Sequence, residues 1–234
     1  PTGSGKSVPF EFAVQHFVPQ GKKVIYTSPI KALSNQKFYE LQNKFPDFSF
    51  GIITGDIKFN PEADVIIMTT EILRNNLYLM STDSPNQLDF NVNIEKEVGC
   101  IVFDEVHYIN DKDRGTIWEE CFILAPKTCQ LLMLSATIAA PEKFADWVSG
   151  INPEKKVVYS DCKVRSVPLE HYLWISCYEN KIEDKKKRDY EHLLNKPLLF
   201  RDSKGNFNDK NYHSVNNLQS YIYNNRIFIK RIHV

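Results

Sequence analysis

Five short apolar runs constrain the fold more than any other feature of the chain. They are Lys23–Ser28 (KVIYTS), Ser49–Ile53 (SFGII), Asp64–Met68 (DVIIM), Gly99–Asp104 (GCIVFD) and Gln130–Leu134 (QLLML). Several are apolar without alternation, the mark of strands covered on both faces, as in a parallel sheet. Helix-length stretches fill the intervals: Gly5–Phe17, Leu33–Asn43, Glu71–Met80, Gly115–Leu124 and Pro141–Val148. Pro141 is well placed in a first turn. This alternation predicts an α/β domain over residues 1–160, a doubly wound, mostly parallel sheet with helices on both faces.

Past residue 155 the texture changes. Val157–Tyr159 and Pro168–Ser176 read as strands, and Glu179–Leu194, with its Lys185–Arg188 run, as a solvated helix. Residues 195–234 are rich in Asn, Lys, Ser and Tyr with weak periodicity, and we assign them no fold. The charge divides the same way. Residues 1–150 carry 13 Lys and Arg against 19 Asp and Glu, and residues 151–234 carry 16 against 10, so the net charge of zero hides a basic C-terminal segment. Such asymmetry hints at nucleic-acid or partner contact. With 42% hydrophobic and 25% charged residues the chain has an ordinary globular composition. No run approaches the roughly 20 apolar residues that cross a bilayer, and no membrane partner is expected.

The five cysteines, at positions 100, 121, 129, 162 and 177, include no C-x-x-C pair and no metal spacing. Buried free thiols in a reducing compartment are expected, hence an intracellular protein. The chain starts at Pro1, inside a motif and without an initiator Met, and is expected to be a piece of something longer.

That motif is Pro1-Thr2-Gly3-Ser4-Gly5-Lys6-Ser7. It matches the end of the Walker A pattern. Gly3 and Gly5 let the backbone bend around a phosphate chain, and Ser4 lies between them. Successive N–H groups then form an anion nest at the positive end of the helix that follows. Lys6 would neutralise the β- and γ-phosphates of ATP, and the Ser7 hydroxyl would ligate Mg²⁺. A Gly/Ser turn with an incidental Lys is the plain alternative.

The second motif is Val102-Phe103-Asp104-Glu105-Val106-His107. An apolar strand runs into two carboxylates, which places them at the carboxyl end of a sheet, where ligands bind. Asp104 would hold Mg²⁺, directly or through water, and Glu105 would orient or deprotonate the attacking water. His107 stands two residues on, placed to relay the state of the γ-phosphate, although a lone His is usually a structural hydrogen-bonding residue.

The order T-G-S-G-K-S, D-E-V-H, Ser135-Ala136-Thr137 resembles a superfamily 2 helicase of the DExH-box type. The segments Thr27–Lys37, Thr54-Gly55-Asp56, Met68–Asn75 and His107–Gly115 with Trp118-Glu119-Glu120 sharpen it. They resemble the superkiller-type, exosome-assisting RNA helicases over residues 1–175. Val167–Leu173 leans to the cytoplasmic branch, which makes a cytoplasmic location the expectation over a nuclear one.

The resemblance implies a RecA-like first domain. It implies triphosphate binding by Gly3, Ser4, Gly5, Lys6 and Ser7, and hydrolysis by Lys6, Asp104, Glu105 and His107. It assigns nucleotide–RNA coupling to Ser135 and Thr137. The backbone of single-stranded RNA would lie along Pro29–Ala32, Gly55-Asp56 and Thr69–Arg74, and exosome or superkiller-type complex subunits are the implied partners. The residues themselves suit this. Thr69 and Thr70 precede a helix whose N–H groups face a phosphate, and Lys31 and Arg74 add charge-assisted contacts that grip backbone rather than bases. Each also has a plain reading: Lys31 and Arg74 as solvated charges, Thr70 as a helix cap, Ser135 and Thr137 as strand-end hydroxyls.

No Q-x-x-G-R-x-G-R-like segment follows residue 138. Residues 161–234 are therefore expected to lead toward a missing or incomplete second RecA-like domain. That domain would supply an arginine finger, a contribution of about 10³–10⁵ in rate for related NTPases. Weak nucleotide binding and negligible turnover are expected of this chain alone. Two other readings stay open: a truncated RNA- or partner-binding remnant without turnover, and another P-loop enzyme such as a kinase or DNA translocase.

Overall fold

A computed structural model of the chain describes residues 5–82, 92–138, 140–160, 168–175, 191–224 and 232–233. The chain divides into two compact units, Pro1–Lys163 and Val164–Val234.

The first unit is built on a six-stranded sheet of β1 (Lys23–Ser28), β2 (Phe50–Ile53), β3 (Lys58–Phe59), β4 (Val65–Thr69), β5 (Val98–Phe103) and β6 (Gln130–Met133), in the order β3-β2-β4-β1-β5-β6. Every pairing is parallel except that of β3 with β2. Its helices are α1 (Ser7–Phe17), α2 (Lys31–Lys44), α3 (Thr70–Ser81), α4 (Ile94–Glu97), α5 (Gly115–Leu124) and α6 (Pro141–Ile151).

Two buried clusters explain the unbroken apolar strands. Val24, Tyr26, Val65, Ile67, Cys100 and Val102 pack with Phe10 and Val14 of α1 and Phe38 and Leu41 of α2. Ile25, Ile66, Met68, Ile101 and Phe103 point the other way and pack with Leu73 and Leu77 of α3 and Trp118 and Phe122 of α5. Successive side chains of one strand enter opposite cores, so a polar residue has no exposed face to occupy.

The register fixes where function can sit. Ser28 pairs with Thr69, Thr27 with Phe103, and Phe103 with Met133. The loops that begin at Pro29, Asp104 and Leu134, and helix α3 that begins at Thr70, therefore all leave the carboxyl end of the sheet. The strand order changes direction across β1, with β4 on one side and β5 on the other. That is a topological switch point, where open α/β sheets bind ligands.

The second unit holds β7 (His171–Ile175), β8 (Pro197–Arg201) and β9 (Ile232–His233) in the order β8-β7-β9, with α7 (Asp209–Asn224). Leu173, Ile175, Leu193, Leu198, Val215 and Leu218 form its core. Between β8 and α7 the Asp202 carboxylate accepts N–H bonds from Lys204 and Asn206 at 2.9 and 2.8 Å, closing a turn that passes through Gly205 at φ +92°.

Two expectations need correction. Val157–Tyr159 forms no strand among the described residues; Val158 and Tyr159 are exposed, and the Tyr159 hydroxyl donates to Glu142 Oε1 at 3.1 Å. The C-terminal stretch left without a fold contains β8 and α7. Of the described part of α7 only Val215 and Leu218 are buried, and the Asn and Ser residues around them, Asn211, Ser214, Asn216 and Asn217 among them, are weak helix formers that obscure the helix in the sequence. The expected strand at Pro168–Ser176 is observed as β7. Most of the helix expected over Glu179–Leu194 lies outside the described residues, and its last part, Glu191–Leu193, forms a 3₁₀ turn. Among the described residues no helix is long and apolar enough to cross a membrane.

Candidate nucleotide site

Gly5 turns at φ +77°, and its carbonyl accepts the Val8 N–H at 2.9 Å, which starts α1. Lys6 holds the N-cap position, and the first turn contains no acidic residue. The positive end of α1 is thus not neutralised from within. Pro9 falls in the first turn, where its missing N–H leaves no helical bond unmade. Gly3 and Ser4 lie outside the described residues.

Across the edge, Asp104 and Glu105 leave β5. The Asp104 N–H donates to the Thr27 carbonyl at 2.9 Å, which continues the β1–β5 ladder by one bond. Both oxygens of its carboxylate are held: Oδ1 accepts the Glu105 N–H at 2.9 Å, and Oδ2 accepts the Tyr26 phenol. Tyr26 is buried beneath the site, its ring 4.7 Å from that of Phe10. Burial first, and then the charge of Asp104, push its phenol far above the ordinary range, so it remains a donor. Glu105 stands at φ +53°, a left-handed conformation that costs a residue with a Cβ about 1–3 kcal/mol. The turn aims its side chain back toward α1.

There the two motifs meet. Lys6 Nζ donates to Glu105 Oε1 at 3.4 Å. The other oxygen, Oε2, lies 3.3 Å from His107 Nδ1 without hydrogen-bond geometry. His107 Nδ1 is 3.5 Å from the Ser135 hydroxyl, which also reaches the Thr137 carbonyl at 3.4 Å. Lys6, Glu105, His107, Ser135 and the Thr137 carbonyl thus lie in one polar file, hydrogen-bonded except between Glu105 and His107, which are within ion-pair distance only. Ser7 meets Lys37 of α2 instead, with Nζ 3.5 Å from its hydroxyl. Among the described residues no group of three or more His, Cys, Asp or Glu side chains forms a protein-only metal cage. The donor set instead suits a magnesium nucleotide, whose own oxygens complete the shell. Ser7 and Asp104 are the residues that would hold the metal.

The segments assigned to RNA lie on the same edge of the sheet. Lys31 Nζ pairs with Asp56 Oδ2 at 2.6 Å, joining Pro29–Lys31 to Gly55-Asp56. A Cβ on Gly55 would approach that ammonium to 3.2 Å. Thr69 caps α3 without a side-chain bond. Thr70 is the first helical residue, not the cap. It is fully buried, and its hydroxyl donates to the Ser28 carbonyl at 3.4 Å, so the hydroxyl serves the fold and only backbone N–H groups there can face a ligand. Arg74 Nε pairs with Glu120 Oε2 at 2.6 Å. The sequence assigns no role to Tyr26, Lys37, Arg114 or Glu120, although the last three lie in segments that carry the family resemblance. Tyr26 sits inside an apolar strand and Lys37 inside a polar helix, and only the tertiary structure turns them to the site.

A doubly wound sheet, a glycine turn that opens a helix and a strand-end Asp-Glu facing the turn's lysine define a RecA-like domain of the P-loop type. The family model for DEAD/DEAH box helicases matches residues 1–144, and the chain belongs to that family. It is 41% identical to the ATP-dependent RNA helicase mtr4 of Schizosaccharomyces pombe over 212 residues, 90% of this chain and 16% of that protein. It is 39% identical to Superkiller complex protein 2 of Homo sapiens over 214 residues, 92% of this chain and 15% of that protein. The chain therefore spans about a sixth of the length of these relatives. Both similarities run past residue 175, where the sequence resemblance stopped, and so into the basic C-terminal segment. Among solved structures, that of the DUF1998 helicase MrfA bound to DNA and AMPPNP shares the fold, with a TM-score of 0.52 and 21% identity over 64% of this chain and 23% of that one.

Proposed function

We propose that this chain is the ATP-binding domain of an ATP-dependent RNA helicase that unwinds or feeds RNA for exosome-type 3′–5′ decay, inside the cell and in its cytoplasm. The observation that carries the reading is the approach of Lys6 to Glu105, in a chain related to RNA helicases along most of its length. The free, buried thiols of Cys100, Cys121 and Cys129 suit a reducing compartment.

Lys6 and the backbone N–H groups of the turn would bind the phosphates. Magnesium supplies charge neutralisation at the phosphate oxygens when bound. Tyr26 and the Glu105 N–H hold the Asp104 carboxylate in one orientation for it. Glu105 would accept a proton from the attacking water, its Oε1 being released as Lys6 turns to phosphate. Ser135 and Thr137, reached through His107, would carry the state of that site to the RNA-bound segments around Pro29, Lys31, Gly55, Thr69, Thr70 and Arg74. These grip a sugar–phosphate backbone, so binding is sequence-tolerant.

Nucleotide and RNA titrations of the chain and of Lys6→Ala test this. Weak Mg-ATP binding that Lys6→Ala removes, with negligible turnover, is the expected result. Rapid RNA-stimulated hydrolysis by the chain alone contradicts the expected turnover. RNA binding without ATP binding, indifferent to Lys6→Ala, identifies a remnant that binds RNA or a partner without turnover.

A further inference from the structure

One guanidinium nitrogen ties together two loops and the first turn of a helix at the carboxyl end of the sheet. Arg114 Nη2 donates to the Pro29 carbonyl at 2.7 Å and pairs with the Glu71 carboxylate. Pro29 follows β1, Glu71 lies in the first turn of α3 directly after β4, and Arg114 belongs to the loop that follows β5. The three strands are neighbours in the order β4-β1-β5. Pro29 and Glu71 belong to two of the three segments assigned to RNA, and Arg114 to the segment that starts at the Asp-Glu pair.

The path from Arg114 back to that pair is short and internally bonded. The Asp111 carboxylate accepts the N–H groups of Asp113 and Arg114 at 3.0 Å each. The Asp111 N–H donates to the Tyr108 carbonyl at 2.9 Å, which closes the 3₁₀ turn Val106–Asn110. That turn carries His107, whose ring approaches Glu105. Gly115, next to Arg114, packs on the Ile109 carbonyl so closely that a Cβ would collide with it. A displacement of the turn at His107 therefore reaches Arg114 with little slack.

We propose that Arg114 is a positioning residue that transmits the state of the nucleotide site to the RNA-gripping segments, by holding Pro29 and Glu71 in register with the turn that carries His107. The proposal rests on the RNA-helicase reading above. The two N–H groups of Nη2 lie in the guanidinium plane and satisfy the carbonyl and the carboxylate together in a fixed geometry; a lysine ammonium ends one bond nearer the backbone and supplies the charge without reaching both. Arg114→Lys therefore keeps the charge beside Glu71 and gives up the three-way tie. Arg114→Ala also leaves Glu71 as an uncompensated negative charge in the first turn of α3, where phosphate would approach.

Anisotropy of a fluorescein-labelled 20-nucleotide oligouridine titrated with the full chain, with and without saturating Mg-AMPPNP, tests this. The wild-type affinity for RNA is expected to change with nucleotide by about fivefold or more, the lower end of ordinary coupling. Arg114→Lys is expected to bind RNA within about twofold of wild type without nucleotide and to lose the nucleotide response. Arg114→Ala loses affinity as well; should it fail to fold, the lysine variant decides alone. An Arg114→Lys protein with the full wild-type response overturns the proposal. So does a wild-type chain that binds RNA with no nucleotide response, and that result leaves the RNA-binding reading standing. A wild-type chain that binds no RNA in either condition overturns that reading and the proposal together.

Discussion

The Lys6 ammonium stands 3.4 Å from a Glu105 carboxylate oxygen although 99 positions separate them in sequence. Both side chains are about three-quarters shielded from water. The lysine thus has two competing anionic partners: the general-base candidate and any phosphate in the turn. Removing Glu105's charge removes the competitor. Glu105→Gln is expected to tighten Mg-ATP binding modestly, by no more than the ~1 kcal/mol that such pairs contribute. Lys6→Ala is expected to cost about 1.5–3 kcal/mol, the worth of a charge-assisted hydrogen bond, roughly a ten- to hundredfold loss of affinity. Titration with a fluorescent ATP analogue reads both. Equal weakening by the two substitutions would show that Glu105 does not compete with phosphate for Lys6.

Tyr26 and Asp104 make a second coupled pair. Tyr26→Phe keeps the ring against Phe10 and removes only the donor to Asp104 Oδ2. The cost in urea unfolding is expected to be about 1–2 kcal/mol, that of leaving a polar acceptor without its partner. In the Asp104→Asn background the same substitution is expected to cost less, because the acceptor is no longer charged. A double-mutant cycle measures the difference. Additive losses would mean that the phenol does not recognise the carboxylate's charge.

The sheet was legible because burial on both faces writes itself into the strands. Lys23–Ser28 and Gly115–Leu124 begin and end where the residues alone place them. The start of α2 was read two residues late, since its cap is Ile30, which makes no side-chain bond and leaves no signal in the sequence. The two-residue strand β3 and the four-residue α4 were missed. Each is shorter than any periodicity window, and β3 exists only through its pairing with β2. The glycine turn and the Asp-Glu pair were legible as chemistry, whereas the shell around them was not. Tyr26 and Val24 both enter one core as strand residues, and nothing in the sequence marks Tyr26 as the one that reaches a carboxylate.

The buried thiols set a limit at high pH. Burial raises the Cys100 thiol to about 12, and burial likewise raises Cys121 and Cys129. An unfolded thiol ionises near pH 8.5, so the unfolded chain loses its protons first. The folded state then keeps its full advantage below that pH and loses it steadily as pH rises toward 12. The melting temperature is expected to fall between pH 8 and pH 10.5. These three thiols should resist alkylation in the native protein at pH 8 and react once urea unfolds it. Rapid native alkylation of Cys100, read by mass spectrometry, would show that it is not buried as described.

Two glycines at helices give opposite expectations for one substitution. Gly115 opens α5, is buried, and lies against the Ile109 carbonyl, so a Cβ meets backbone that a side-chain rotation cannot relieve. Its N–H also donates to the Asp111 carbonyl at 2.9 Å, which fixes the loop that would have to move. Gly115→Ala is expected to destabilise by about 1–3 kcal/mol, the range for overpacking. Gly150 lies in the last turn of α6, is exposed, and has nothing within 4 Å of an added Cβ. There alanine only removes freedom from the unfolded chain, and Gly150→Ala is expected to stabilise by about 0.4–1 kcal/mol. Urea midpoints of the two variants should therefore move in opposite directions from wild type. A neutral Gly115→Ala would mean that the Asp111–Gly115 loop yields easily, and would remove the stiffness through which Arg114 follows the turn at His107.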